Sequence, residues 1–188
     1  MFKNYKICIV GLGYVGLPLA ISLSKYFQVV GYDKDHSRIS QLRRGNDMTK
    51  ETNNKFIKKS KIFFTNTEKN IRACNIYIVT VPTPVDKKNK PELSSIIKAT
   101  KTVARHIGKN NLIIYESTVY PGCTDEILIP LLQKDTGLKL NKDFFVGYSP
   151  ERISPGDKKR NVTNITKIVS ASNKKALKQI KHIYSKIV

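Results

Sequence analysis

Acidic residues are scarce in this chain of 188 residues: 14 Asp and Glu stand against 34 Lys and Arg, a formal net charge of +20. The excess comes from 27 lysines against 7 arginines, dispersed in small clusters such as Lys58-Lys59-Ser60-Lys61, Lys87-Lys88-Asn89-Lys90 and Lys158-Lys159-Arg160. A nucleic-acid reader concentrates arginine with aromatic residues. Here isoleucine and asparagine are abundant instead, the pattern of an AT-rich coding sequence. We read a solvated basic surface that attracts anions incidentally, with no specific nucleic-acid partner; nucleic-acid binding is the rival reading. Cysteine is scarce too. Cys8, Cys74 and Cys123 are too few and too scattered for a disulfide framework or a metal site, and they fit a reducing cytoplasm. Long hydrophobic runs are missing: the uncharged stretch 7–23 is short for a membrane span and carries Gly11, Gly13, Gly16 and Pro18. Neither a membrane partner nor a signal peptide is expected from it. With no internal repeat or low-complexity linker, and 40% apolar residues, the chain suits one domain, 1–188.

What is present is a glycine turn after a strand. Ile7-Cys8-Ile9-Val10 is wholly apolar, as in a parallel strand buried on both faces. Gly11-Leu12-Gly13-Tyr14-Val15-Gly16 then reads G-x-G-x-x-G and opens into an apolar helix from Leu17. Gly11 permits the tight turn, Gly13 lets the backbone approach a pyrophosphate, and Gly16 lets helix and strand pack closely. Free N–H groups and the helix dipole then face the phosphates. Tyr14 and Val15, inside the turn, are expected cofactor contacts with the three glycines. A second apolar run ends at Asp33, 33 − 11 = 22 residues beyond the first glycine. That is where a dinucleotide fold places the carboxylate for the ribose hydroxyls, and an anion there favours NAD over NADP. Arg38 is read either as a further cofactor contact or as a solvated helix residue.

Apolar runs and helical patterns alternate along the rest. Helices are expected over 37–44, ending at Gly45, over 55–60, from a Thr67 cap to Ala73, and over 92–107, 124–133 and 174–186. The stretch 46–54 reads as loop. Strands are expected over 62–65, 75–81, 111–116, 144–148 and 165–170. The alternation predicts an α/β fold, a Rossmann-like, doubly wound and mainly parallel sheet. In such a sheet ligands lie at the carboxyl ends of the strands. Three polar, proline-bearing segments fall there: Val81-Pro82-Thr83-Pro84, Glu116-Ser117-Thr118 and Ser149-Pro150-Glu151-Arg152. Each alone is explained by turn chemistry. Together, beside a dinucleotide turn, they place Val81, Pro82, Thr83, Ser117 and Thr118 among the expected cofactor contacts.

The strings KICIVGLGYVGLPLA, VTVPTP, YESTVYPGCT and VGYSPERISPGD resemble the UDP-glucose/GDP-mannose dehydrogenase family, the nucleotide-sugar 6-dehydrogenases. PER followed by PG resembles the branch acting on UDP-N-acetylhexosamines. The resemblance implies oxidation of a sugar 6-hydroxyl through the aldehyde level to a carboxylate, reducing two NAD, for surface polysaccharide synthesis. It implies that Thr83 lies against the cofactor and that Thr118 positions a water near the reacting carbon. It gives Glu151 acid–base work and sets Arg152 and Ile153 near the substrate. It also implies a homodimer in the full-length family, built on a connecting helix, a dimerising region and a UDP-binding domain that carries a nucleophilic cysteine and a partner lysine. The chain read here stops at Val188, before those regions, so an NAD-binding domain incomplete by itself is expected. Cys123 sits near a helix start, which can lower a thiol pKa, but belongs to the first-domain string PGCT and is not read as a substitute nucleophile. Alternatives are another NAD-dependent dehydrogenase domain, or a non-catalytic module that only binds the dinucleotide.

Overall fold

The computed structural model describes residues 4–86, 88–152 and 164–188. Among them strands form mostly where β-branched and aromatic residues concentrate: β1 (Lys6–Val10), β2 (Gln28–Tyr32), β3 (Phe63–Thr65), β4 (Ile76–Val79), β5 (Asn111–Tyr115), β6 (Phe144–Tyr148) and the short β7 (Ser170–Ala171). The helices are α1 (Gly16–Leu23), α2 (His36–Arg43), α3 (Asn54–Lys59), α4 (Ser94–Ala104), α5 (Ile129–Thr136) and α6 (Lys174–Tyr184). Short polar side chains start several of them. Asp35 accepts from the Ser37 and Arg38 N–H groups, Asn53 from Lys55, and Asn173 from Ala176.

The strands order as β3-β2-β1-β4-β5-β6-β7. The pairings from β3 through β6 are parallel, and β7 runs antiparallel to β6. The chain winds outward from β1 to β3, then returns to the other side of β1 with β4, so the winding reverses between β1 and β4. Pleat alternation sends Ile7 and Ile9 to one face, into a core with residues of α1, α2 and α6. Cys8 and Val10 go to the other face, with residues of α4 and α5. Both faces are covered, which is why the strands carry apolar residues without alternation.

Four expectations need correction. The strand predicted over 165–170 is only the pair Ser170–Ala171. Upstream, the Arg152 guanidinium takes the Thr166 carbonyl and Lys167 turns inward to two carboxylates, so this backbone is held by side chains rather than by a ladder. The helix predicted from Thr67 is a single 3-10 turn, Glu68–Ile71. Thr67 does not cap it; its N–H instead donates to Thr65 Oγ1 at 3.0 Å. The helix predicted over 92–107 spans only Ser94–Ala104. Glu92 stays outside and accepts from the Ser94 N–H and hydroxyl, at 2.8 and 2.6 Å. The helix predicted over 124–133 opens as a π-helical turn, Thr124–Leu128, and then runs on as α5 to Thr136, with Gly137 as its left-handed cap.

Candidate functional site

β1 delivers the chain to the carboxyl edge of the sheet at the reversal of winding, and the glycine turn sits there. Gly11 has φ +97°, and a Cβ on it would lie 3.0 Å from Val81 Cγ1. A Cβ on Gly16 would collide with the Gly11 carbonyl oxygen and stand 2.5 Å from Thr80 Oγ1. Turn and helix therefore approach as only glycine permits. Gly13 is different: a Cβ there would meet nothing within 4 Å, so its space is open cleft rather than protein. Val15 occupies the N-cap of α1 without a side-chain acceptor. The Leu17 N–H already donates to the Gly13 carbonyl at 3.1 Å and Pro18 has none, so in this first stretch the Gly16 N–H is the one left to solvent or an anion.

Side chains brace the turn from behind. Thr80 Oγ1 donates to the Gly11 carbonyl at 2.7 Å. Asp33 accepts from the Leu12 N–H at 2.8 Å and from the Asp35 N–H at 3.0 Å, one bond on each oxygen. Each carboxylate oxygen has two acceptor sites, so the second on each is left for a ligand. Arg38 is neither solvated nor on the cleft wall: it is 9% exposed. Its Nε donates to the Leu12 carbonyl at 2.9 Å and its Nη1 to Asp47 Oδ1 at 2.8 Å. Asp47 also accepts from the Thr49 hydroxyl and the Thr52 N–H. Burial works to raise its carboxyl, but bonds from Thr49, Arg38 and Thr52 hold it below its ordinary value.

Two bays meet over the turn. One, of about 320 Å³, lies between Tyr32, Asp33 and the start of α4 at Ser95 and Lys98. The other, of about 350 Å³, is walled by Tyr14, Val15, Thr83, Ser117, Thr118 and Glu151. They share Gly13, Thr80, Val81 and Pro82, forming one crevice that crosses the glycine turn. All three predicted loops reach it. Two of them, 81–84 and 116–118, are tied together: Ser117 Oγ donates to the Val81 carbonyl at 2.7 Å, and Thr83 Oγ1 donates to the Thr118 carbonyl. Ser117 thus lines the bay with its hydroxyl already engaged. A hollow of about 440 Å³ between Tyr120, Thr124 and Tyr148 contains none of the predicted site residues.

Behind Glu151 lies a cluster that the sequence reading passed over. Glu116, at the end of β5, forms an ion pair with Lys167, whose Nζ also stands 3.9 Å from Glu151 Oε2. The Lys167, Glu116 and Glu151 side chains are 3%, 1% and 6% exposed, so this is a buried charge cluster. Burial pushes the Glu116 carboxyl up, against the pull of Lys167. Burial and the two carboxylates keep the Tyr184 phenol protonated beside it. Glu116 was visible as an acid ending a buried strand; nothing marks Lys167 among 27 lysines. Arg152 is exposed, its N–H bonded to Glu151 Oε1 at 2.6 Å and its guanidinium to the Thr166 carbonyl. It lines neither bay. Ile153 lies outside the described residues. Cys123 is buried, and burial followed by the Glu126 charge pushes its thiol up.

The strand order, the reversal between β1 and β4, and the glycine turn beneath a two-bay crevice define a Rossmann-type dinucleotide-binding domain. Residues 5–188 match the UDP-glucose/GDP-mannose dehydrogenase family, NAD binding domain, and the chain belongs to that family. It is 46% identical over 184 residues to the UDP-N-acetyl-D-glucosamine 6-dehydrogenase of Salmonella typhi, covering 97% of this chain and 43% of that protein. The Pseudomonas aeruginosa protein of the same name is 44% identical over 187 residues, covering 99% and 44%. Among solved structures, the UDP-D-ManNAc dehydrogenase of Pyrococcus horikoshii superposes with a TM-score of 0.89 at 31% identity, covering 97% of this chain and 45% of that one. The chain thus spans less than half the length of these relatives.

Proposed function

We propose that this domain binds NAD across the glycine turn and serves a 6-dehydrogenase acting on a UDP-N-acetylhexosamine. The observation that carries the reading is the pair of bays joined at Gly13. An extended dinucleotide laid across them puts its adenosine against Asp33, its pyrophosphate over Gly13 and the uncapped start of α1, and its nicotinamide beside Thr83 and Thr118. Tyr14, Val15, Val81 and Pro82 complete the walls. NAD supplies the hydride acceptor. The chain's own residues orient it, exclude water with the Val81–Pro82 edge, and present Thr118 and Glu151 for holding water and moving a proton. Arg38 acts from behind, fixing the Leu12 carbonyl. Family membership and the names of two similar relatives support the substrate class; a cytoplasmic setting and homodimeric assembly are what the family resemblance implies.

Calorimetric titration of NAD and NADP into the wild type and Asp33→Ala tests the reading. The carboxylate favours ribose hydroxyls and repels a 2′-phosphate. Its loss should weaken NAD by about 1.5–3 kcal/mol, roughly 10- to 100-fold, and narrow the gap to NADP. Equal affinities in the wild type would overturn the assignment.

A further inference from the structure

Lys167, Glu116 and Glu151 reach one point from three separate segments: the run before β7, the end of β5 and the loop after β6. Only Glu151 and Glu116 touch the crevice; the ammonium lies behind them. We propose that Lys167 is a positioning residue for Glu151, its single buried ammonium held between two carboxylates so that the crevice glutamate stays oriented and charged, ready to take a proton from water. The inference rests on the acid–base role proposed for Glu151.

Two buried carboxylates that face one another without a cation share a proton, because the second charge is costly in a low-dielectric site. The described residues place the Lys167 ammonium between two such carboxylates. Lys167 pairs with Glu116 and stands 3.9 Å from Glu151, and its ammonium lies 5.6 Å from the Tyr184 ring centroid on α6. Tyr184 is protonated and contributes no charge. Arg152, exposed beside the cluster, spends its guanidinium on the Thr166 carbonyl. Among the described residues, Lys167 is the cation that stands against both acids. Burial and Glu151 already push Glu116 up, and Lys167 opposes them. A structural role alone does not require this charge, since apolar residues of similar volume often replace buried ion pairs without loss of stability.

The chain carries six glutamates, so a sample labelled with ¹³C-glutamate gives six side-chain carboxyl signals to follow against pH. In Lys167→Met one of the Glu116 and Glu151 carboxyls should titrate at least one pH unit higher than in the wild type, about tenfold in proton affinity. Lys167→Arg should return it. Midpoints within about 0.3 unit of the wild type in a folded Lys167→Met chain overturn the proposal. Should Lys167→Met fail to fold, Glu116→Gln and Glu116→Gln/Lys167→Met carry the test with one acid fewer. Glu151 should titrate higher in the double variant, and identical midpoints again overturn the role. NAD titrated into the wild-type chain separates the two readings. Absence of NAD binding defeats the functional assignment and leaves the charge cluster standing. Binding with unmoved titrations defeats the positioning role alone.

Discussion

A single methyl group distinguishes two glycines of the turn. At Gly16 it would strike the Gly11 carbonyl and crowd Thr80 Oγ1, both parts of the rigid junction between α1 and the sheet. Overpacking of this kind costs about 1–3 kcal/mol. At Gly13 the same methyl enters open cleft, where the folded chain has nothing for it to strike. Gly16→Ala should therefore lower the urea midpoint clearly. Gly13→Ala should stay within about 0.5 kcal/mol of the wild type yet lose NAD affinity more than tenfold in calorimetry. The reverse pattern would mean that the pyrophosphate does not cross the turn at Gly13. The glycines were legible because their spacing carries the geometry. Lys167 was not, because inward placement of one lysine among 27 depends on two carboxylates that the sheet brings together from residues 116 and 151.

Between elements, α2 and the loop that follows act as a strut for the turn. Arg38 on α2 links the Leu12 carbonyl to Asp47, and Asp47 gathers Thr49 and Thr52 into the loop. The sequence marks 46–54 as polar and loop-like, which holds up to Asn53, but polarity does not say that one of its acids is buried. Strand existence was legible throughout the parallel part of the sheet, where most residues face a core. It failed over 165–170, where Lys167 and Arg152 hold the chain by side chains and the apolar pattern gives no sign of them. The strut makes its own prediction. Asp47→Ala leaves a buried guanidinium unpaired, which costs about 3–5 kcal/mol for a fully buried pair. Because the folded carboxyl lies below its unfolded value, its contribution is present above about pH 3.8 and is lost as pH falls through the folded value. Urea midpoints measured down the acid range should fall less steeply in Asp47→Ala than in the wild type. Parallel acid limbs would show that Asp47 is not linked to folding.

The molecule as a whole presents a net charge of +20 to ligands that are anions, which raises their encounter rate in a salt-dependent way without adding contacts. What its crevice does not present is a thiol. Cys8, Cys74 and Cys123 are 0%, 5% and 0% exposed, and none lines either bay. Carrying a sugar from the aldehyde level to a carboxylate is helped by a thiolate that holds the carbonyl carbon while hydride leaves, and the family resemblance assigns that thiolate to regions beyond the NAD-binding domain. The resemblance also assigns the UDP group to those regions, and orientation is a large share of any barrier. Thr118 and Glu151 supply water placement and proton transfer, each a partial contribution. The 188-residue chain by itself should therefore bind NAD and leave UDP-N-acetylhexosamines unoxidised. The measurement is the near-ultraviolet absorbance of NADH, followed with excess NAD and a panel of UDP-N-acetylhexosamines, beside a calorimetric NAD titration of the same sample. We expect a flat trace with confirmed NAD binding. NADH formation that continues in time and scales with the chain's concentration would overturn this, and would turn attention to Cys123, the thiol nearest in sequence to Thr118.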